Sequence, residues 1–248
     1  MRNQTIRTAI VTGAASGMGR GAALALAQRG LSVLAADIDF SGAQQTARTA
    51  AQVGVKTGAL EVDVSSSASV GEMFRTARDR IDRLDMLVHA AAVMGPTAML
   101  EEIADEDWHR LMAVNLNGTF YCCREAVRWM KDAGGGRIVL FSSVAALQPT
   151  PGAIGYSAAK GGVNLLARGL ALETGRYNIR VNVIAPGYIE TPMLLGLPER
   201  FRERIIRKTP LKRLGRVAEV AGLVVFLASP EADFLTGQVV SPNGGLVI

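Results

Sequence analysis

Thr12-Gly13-Ala14-Ala15-Ser16-Gly17-Met18-Gly19 lies directly after the apolar run Ala9-Ile10-Val11 and directly before an Ala/Leu-rich stretch at 22–28. This order reads as strand, glycine loop, helix. The first amides of such a helix lack intrahelical partners, and the positive end of its dipole adds to them, so the junction can seat a pyrophosphate. Three glycines serve three needs: Gly13 permits the tight turn, Gly17 admits a phosphate close to the backbone, and Gly19 lets the helix pack on the strand. A glycine loop alone is a weak signal. Asp37 strengthens it, because it ends the apolar run 31–36 eighteen residues after Gly19. A carboxylate at the tip of the next strand is placed to accept hydrogen bonds from an adenosine ribose.

Short Val/Ile/Leu runs alternate with amphipathic stretches along the rest of the chain, the pattern of βαβ units and a parallel sheet. Strands are expected at 8–11, 31–36, 56–61, 86–90, 137–141, 180–184 and 238–241, and helices at 17–29, 42–52, 67–81, 105–131, 156–176 and 217–228. Gly134-Gly135-Gly136 suits the end of the fourth helix. With no repeat, linker or low-complexity tract, residues 1–248 read as one α/β domain with helices on both faces of the sheet. Right-handed crossovers put the ligand crevice at the carboxyl ends of the strands, where Thr12, Asp37, Asp63, Ala91, Ser143 and Pro186 converge.

Tyr156 and Lys160 are four apart on an expected helix and so share a face. An ammonium near a phenol favours its ionised form, which predicts a lowered Tyr156 pKa and a usable general acid and base. Ser143, just past the fifth strand, can hydrogen-bond a substrate oxygen. A packed Tyr beside a surface Lys is the plainer alternative, and Ser143 weighs against it.

The spacing Gly-x-x-x-Gly-x-Gly, Asp63-Val64, Asn115, Ser143, Tyr156-Ser157-Ala158-Ala159-Lys160, Pro186-Gly187 and Asn243-Gly244-Gly245 occur in an order that resembles the short-chain dehydrogenase/reductase family over nearly the whole chain. The resemblance implies a Rossmann-type doubly wound sheet of about seven strands in the order 3-2-1-4-5-6-7. It implies that Tyr156 exchanges a proton, Ser143 polarises the carbonyl or alcohol, Lys160 also binds the nicotinamide ribose, and Asn115 holds a water that relays protons. Asn115 could instead only kink its helix through a bond to the backbone. The cofactor set implied is Gly13, Ser16, Gly17, Met18, Gly19, Asp37, Ile38, Asp63, Val64, Ala91, Pro186, Gly187, Ile189 and Thr191, together with Tyr156 and Lys160. Within it Asp63 would meet the adenine amine, and the Ile189 backbone and Thr191 hydroxyl would hold the carboxamide. Asp37 favours NAD over NADP, because a 2′-phosphate would face a like charge. Substrate is expected near Met94, Val144, Ala145, Gln148 and Tyr188, with Val93, Leu147 and Ile154 beside them, and 188–215 reads as a movable substrate loop with few anchors, containing Pro198 and Pro210.

His89-Ala90-Ala91-Ala92 departs from the usual Asn-Asn-Ala-Gly of the family. Ala90 lacks an amide that would tie strands, Ala92 adds a methyl group near the cofactor, and His89 reads as a hydrogen-bonded structural residue. His109 reads as a helix-surface residue. Cys122 and Cys123 are sequence neighbours on a helix, so no ordinary disulfide is expected, and they read as core or subunit-contact residues.

Net charge is +5 and the pI about 9.6. The excess is local: eight of the seventeen residues 200–216 are basic, against the single acid Glu203. Without a stacking platform, nucleic acid is not an expected partner, and the run reads as a solvated helix and loop, with a cationic cover over an anionic substrate as the sharper alternative. The start Met1-Arg2-Asn3-Gln4-Thr5 carries no apolar leader and no run is long enough to span a bilayer, so a cytoplasmic protein is expected, with a homotetramer implied by the resemblance. The leading function is NAD(H)-dependent interconversion of a secondary alcohol and a ketone. Alternatives are a 3-oxoacyl-(acyl-carrier-protein) reductase, disfavoured by Gly134 and Tyr177 where that subfamily carries docking arginines, and a non-catalytic nucleotide-sensing protein, disfavoured by the complete Ser143/Tyr156/Lys160 set.

Overall fold

The computed structural model describes residues 7–196 and 199–248; Met1–Thr5 and Pro198, named above, lie outside the described residues. Seven strands form one parallel sheet: β1 (Thr8–Thr12), β2 (Ser32–Asp37), β3 (Thr57–Glu61), β4 (Met86–His89), β5 (Gly136–Phe141), β6 (Ile179–Ile184) and β7 (Val239–Val240). Their order is β3-β2-β1-β4-β5-β6-β7, as expected. The seventh strand is shorter than the sequence suggested, pairing only Val183 with Val239 and Ile184 with Val240.

Strand residues alternate between two cores, as the two-residue period of a strand requires. Ile10, Leu34, Leu87, Ile138, Leu140, Val181 and Val183 join one apolar cluster. Ala9, Val11, Val33, Ala35, Met86, Val88, Val139, Phe141 and Ile184 join the other. The first is covered by α3 (Ser67–Arg78), α5 (Gly118–Asp132) and α6 (Ile154–Thr174), the second by α1 (Gly17–Gln28), α2 (Phe40–Ala51) and α9 (Val217–Ala228). Cys122 and Cys123 are free thiols buried in the first cluster, and burial raises both pKa values, that of Cys123 to about 12.

Two expectations are corrected. The helix expected over 105–131 is interrupted: α4 (Asp105–Met112) passes into one π-helical turn, Ala113–Asn117, before α5 begins. The wider turn lets the Asn115 side chain leave the helix and bond the backbone of Val93, which a local bond to its own helix would not do. The segment 188–215 is not a loop with few anchors. It carries α7 (Pro192–Leu195) and α8 (Glu199–Lys208), and Leu194, Ile205 and Leu214 form a third small core with Tyr188 and Ile206. Helical spacing places Phe201 and Ile205 on one face of α8. Glu219 holds the base of the segment, accepting from the Arg213 guanidinium and the Arg216 N–H, which depresses its pKa to about 2.

Candidate active site

Gly13 and Gly19 are shaped by contacts a side chain would destroy, and Gly17 by a positive φ of +53°. Gly13 has φ +68°, and a Cβ there would lie 2.6 Å from the Ala91 nitrogen. A Cβ on Gly19 would lie 2.1 Å from the Gly13 carbonyl oxygen, so α1 starts in backbone contact with the loop that leads into it. Two neighbours, which sequence reasoning missed, hold that loop. Ala14 N–H donates to the Ala36 carbonyl at 3.1 Å, and the buried Thr46 hydroxyl on α2 donates to the Ala14 carbonyl at 2.7 Å. Ser16 makes no side-chain cap bond, so the first amides of α1 remain open to the cleft.

Asp37 is pinned through both oxygens: Ala15 N–H donates to Oδ2 at 2.9 Å and Asp39 N–H to Oδ1 at 3.0 Å. Asp63 is likewise oriented, accepting from the Ser65 amide at 2.9 Å and the Ser65 hydroxyl at 2.7 Å. Gly13, Ser16, Gly17, Met18, Gly19, Asp37, Ile38, Asp63, Val64, Ala91, Tyr156, Lys160 and Thr191 line one cleft of about 490 Å³ along the strand ends. Pro186, Gly187 and Ile189, expected in the cofactor set, are not among the residues that line it. The Pro186 carbonyl accepts from Val144 N–H at 3.0 Å, and Ile189 bridges to Gly215. Thr191 caps α7 and its methyl group stands over Gly17. Arg110 on α4 also lines the cleft, and no motif pointed to it; its position shows only once the π-turn sets the direction of α4.

At the far end of the cleft, Lys160 is buried, and its Nζ donates to the Phe141 carbonyl at 2.9 Å while standing 5.8 Å from the centre of the Tyr156 ring. The Ser142 hydroxyl, also missed from sequence, donates to the Lys160 carbonyl at 3.0 Å and locks α6 onto the end of β5. Burial lowers the Lys160 pKa to about 8. Burial also pushes Tyr156 up to about 12, with a hydrogen bond to Ser143 opposing the rise. This corrects the expectation of a lowered phenol pKa: desolvation of the phenolate outweighs any ammonium effect, and the resting phenol is neutral. Ser143 Oγ additionally accepts from Ala145 N–H at 3.1 Å, which fixes the hydroxyl at the head of a 3₁₀ turn over Val144–Ala146.

Asn115 is wholly buried, with Oδ1 accepting from Val93 N–H at 3.1 Å and Nδ2 donating to the Val93 carbonyl at 2.8 Å. Of the expected substrate residues, Met94 and Ile154 share a small cavity of about 30 Å³ with Tyr156. Val144, Ala145 and Gln148 belong to the turn after Ser143, where Gln148 N–H bonds the Val144 carbonyl. Tyr188 stacks edge-on against Phe201 of α8, with ring centres 6.2 Å apart. Among the described residues, no cluster of His, Cys, Asp and Glu is placed to hold a metal ion, and no helix is long and apolar enough to cross a membrane.

This fold and site define a dehydrogenase built on a nucleotide-binding sheet, and comparison with known proteins gives the family. The profile described as enoyl-(acyl carrier protein) reductase matches residues 13–247. The chain is 37% identical over 242 residues to the 3-oxoacyl-(acyl-carrier-protein) reductase FabG of Thermotoga maritima, covering 98% of each chain. It is 38% identical over 239 residues to the cis-4-hydroxycyclohexanecarboxylate dehydrogenase of Sinomonas cyclohexanicum, covering 96% of each. The crystal structure of levodione reductase superposes with a TM-score of 0.93 at 31% identity, with 96% of both chains covered. The protein belongs to the short-chain dehydrogenase/reductase family, and it is an oxidoreductase acting on CH–OH groups with a nicotinamide cofactor.

His89 sits where the sheet meets the cleft. Its Nδ1 is 2.8 Å from the Thr12 hydroxyl, and its Nε2 is buried without a hydrogen-bond partner among the described residues. Burial, with a smaller effect of the Lys160 charge, depresses its pKa to about 3. The unfolded chain takes up a proton on this residue near pH 6.5 and the folded chain does not until about 3, so stability is lost as pH falls through that window. His89→Asn should keep a polar side chain beside Thr12 and flatten the acid limb of stability. Denaturant midpoints measured from pH 7 to pH 3.5 check this, and identical slopes for the two proteins would assign the acid limb to other groups.

Proposed function

We propose that the protein interconverts a secondary alcohol and a ketone with NAD(H). The observation that carries this reading is Tyr156 beside the buried Lys160, whose Nζ stands 5.8 Å from the phenol ring, in one cleft with the glycine loop and Asp37, while Ser143 acts to lower the phenol pKa. When bound, the nicotinamide supplies or accepts the hydride. The open α1 amides fit the pyrophosphate, and the Asp37 carboxylate, held by two backbone N–H groups, fits the two ribose hydroxyls.

In the reducing direction the neutral Tyr156 hydroxyl donates its proton to the ketone oxygen, while Ser143 donates a second hydrogen bond to that oxygen and stabilises the developing charge. In the oxidising direction the alcohol proton returns to the phenolate oxygen. Lys160, with its pKa lowered to about 8, then sits close enough to working pH to pass a proton onward. Asn115, held on Val93, is in this reading the mount for a water between Lys160 and solvent. The relative named for cis-4-hydroxycyclohexanecarboxylate supports a ring-borne secondary alcohol as the substrate type.

For the assembly we propose a homotetramer. Phe120, Leu165 and Leu172 on α5 and α6 are exposed, beside a groove of about 500 Å³ lined by Leu116, Phe120, Tyr121 and Leu166, while Phe234 and Ile248 are exposed elsewhere. A cytoplasmic setting fits the same reading.

Three outcomes are expected. Tyr156→Phe removes only the proton donor and should lower kcat by about 10³-fold or more while NAD affinity changes little; turnover near the wild-type rate would refute the assignment. NAD should exceed NADP in kcat/KM by at least about tenfold, because a like charge facing the 2′-phosphate in a partly desolvated cleft is costly; equal values would overturn the role given to Asp37. Light scattering at micromolar concentration should return four times the chain mass, and a monomer mass would end the tetramer proposal.

A further inference from the structure

α4 turns two faces to two different surroundings. Trp108 and Leu111, three residues apart, share one of them. A Cβ on Gly155, the residue before Tyr156, would lie 3.5 Å from the Trp108 ring, and one on Gly95 would lie 2.4 Å from the Leu111 side chain, so this face packs toward the catalytic end. Arg110, Ala113 and Val114 share the other face, and all three line the main cleft. One turn beyond Val114, Gly118 packs on Val64: a Cβ there would lie 2.9 Å from the Val64 carbonyl oxygen. The Arg110 face therefore runs along the side of the cleft where Val64 follows β3 and Asp37 ends the neighbouring β2.

Among the described residues, Arg110 is the one arginine that lines this cleft, and it is exposed, with no carboxylate in ion-pairing reach and no aromatic ring under its guanidinium. Ile38, just past β2, is also open to the cleft, 68% exposed although apolar. Ile38, Val64 and Val114 offer apolar contact along this stretch, and Asp63, its carboxylate fixed by Ser65, offers an acceptor. That set suits a flat ring with apolar faces and a hydrogen-bond donor on its edge, which describes adenine. The remaining open face of such a ring attracts a planar guanidinium laid over it. The support for that guanidinium is rigid, because Asn115 is bonded to Val93 through both of its polar atoms and fixes the π-helical turn from which α4 departs.

We propose that Arg110 stacks its guanidinium on the adenine ring of the bound nicotinamide dinucleotide, so that α4 holds the adenosine half of the cofactor in the cleft. The assignment rests on the dinucleotide reading of the cleft and adds a binding residue to the glycine loop, Asp37 and Asp63. Stacking engages the base and not the ribose, so it strengthens NAD and NADP alike and leaves the choice between them to Asp37.

The test reads binding and needs no turnover. Kd values for NADH and NADPH are measured by their fluorescence, and adenosine, AMP and nicotinamide mononucleotide are scored by displacement of NADH. Arg110→Gln should weaken NADH, NADPH, AMP and adenosine by a common factor of about fivefold and leave nicotinamide mononucleotide unchanged. Arg110→Tyr, which restores a stacking plane without the charge, should recover most of the loss. Because Arg110 is exposed, the melting temperatures of the three ligand-free proteins should coincide, so that any change in Kd belongs to the contact and not to the fold. Adenosine unaffected while AMP and NADH weaken would make Arg110 a phosphate contact, and a loss confined to NADPH would put it on the 2′-phosphate. An equal loss in Arg110→Tyr would leave only its charge, and an equal loss for nicotinamide mononucleotide would mark a disturbance of the whole cleft. Unchanged Kd values in Arg110→Gln would remove it from cofactor binding. Each of these outcomes overturns the stacking, while the wild-type Kd for NADH reports separately on the dinucleotide reading.

Discussion

The backbone of Ala90 and Ala91 occupies the space where a side chain on residue 13 would project. This contact joins the glycine loop after β1 to the end of β4, the pair of strands at which the order of the sheet turns from descending to ascending. Loops on either side of such a switch point diverge and leave a crevice between them. Because Gly13 lets the two strand ends approach, the crevice is narrow at its floor. Because Gly19 touches the Gly13 carbonyl, α1 begins at that floor rather than above it. The open amides, Asp37 and the Tyr156 end of the cleft are all measured from this point.

Burial then sets the electrostatics. The sheet is covered on both faces, so side chains pointing inward from its edge lie in a medium that disfavours charge. Lys160 bears the cost as a pKa lowered to about 8, His89 as one lowered to about 3, and Tyr156 as one raised to about 12. For Lys160 alone the shift corresponds to roughly 3 kcal/mol disfavouring the folded chain at neutral pH. In the proposed mechanism the penalty has a chemical use: a neutral phenol is the donor and a lysine poised near working pH is the relay. Ser142, through its bond to the Lys160 carbonyl, and Phe141, through its carbonyl on Nζ, hold that arrangement against relaxation.

Much of this was legible in the chain. Apolar runs of strand length fixed where the sheet lies, and the strand-end positions of Asp37, Asp63 and Ser143 followed from them, since residues just past parallel strands share one edge. What escaped was non-local or non-periodic. The π-turn at Asn115 leaves no mark in hydrophobic spacing, because its cause is the backbone of Val93, twenty-two residues away. Thr46 and Ser142 resemble any small polar residue in a helix or strand end until the carbonyl each one meets is known. The phenol pKa departs from the sequence expectation for a related reason: helical spacing reveals a neighbouring charge, whereas desolvation depends on everything packed around the ring.

The segment after β6 shows how the fold divides labour. Its inner residues, Thr191, Pro192 and Met193, belong to the cleft wall, and its outer residues rest on a small core of their own around Leu194, Ile205 and Leu214. That core is separate from the two that flank the sheet. Substitutions on α8 therefore perturb little of the main packing, whereas the same changes beside Gly13 or Lys160 would disturb the sheet edge itself. α8 and the Ser143/Tyr156/Lys160 group rest on different cores, so the charge on α8 can change while Ser143, Tyr156 and Lys160 keep their geometry.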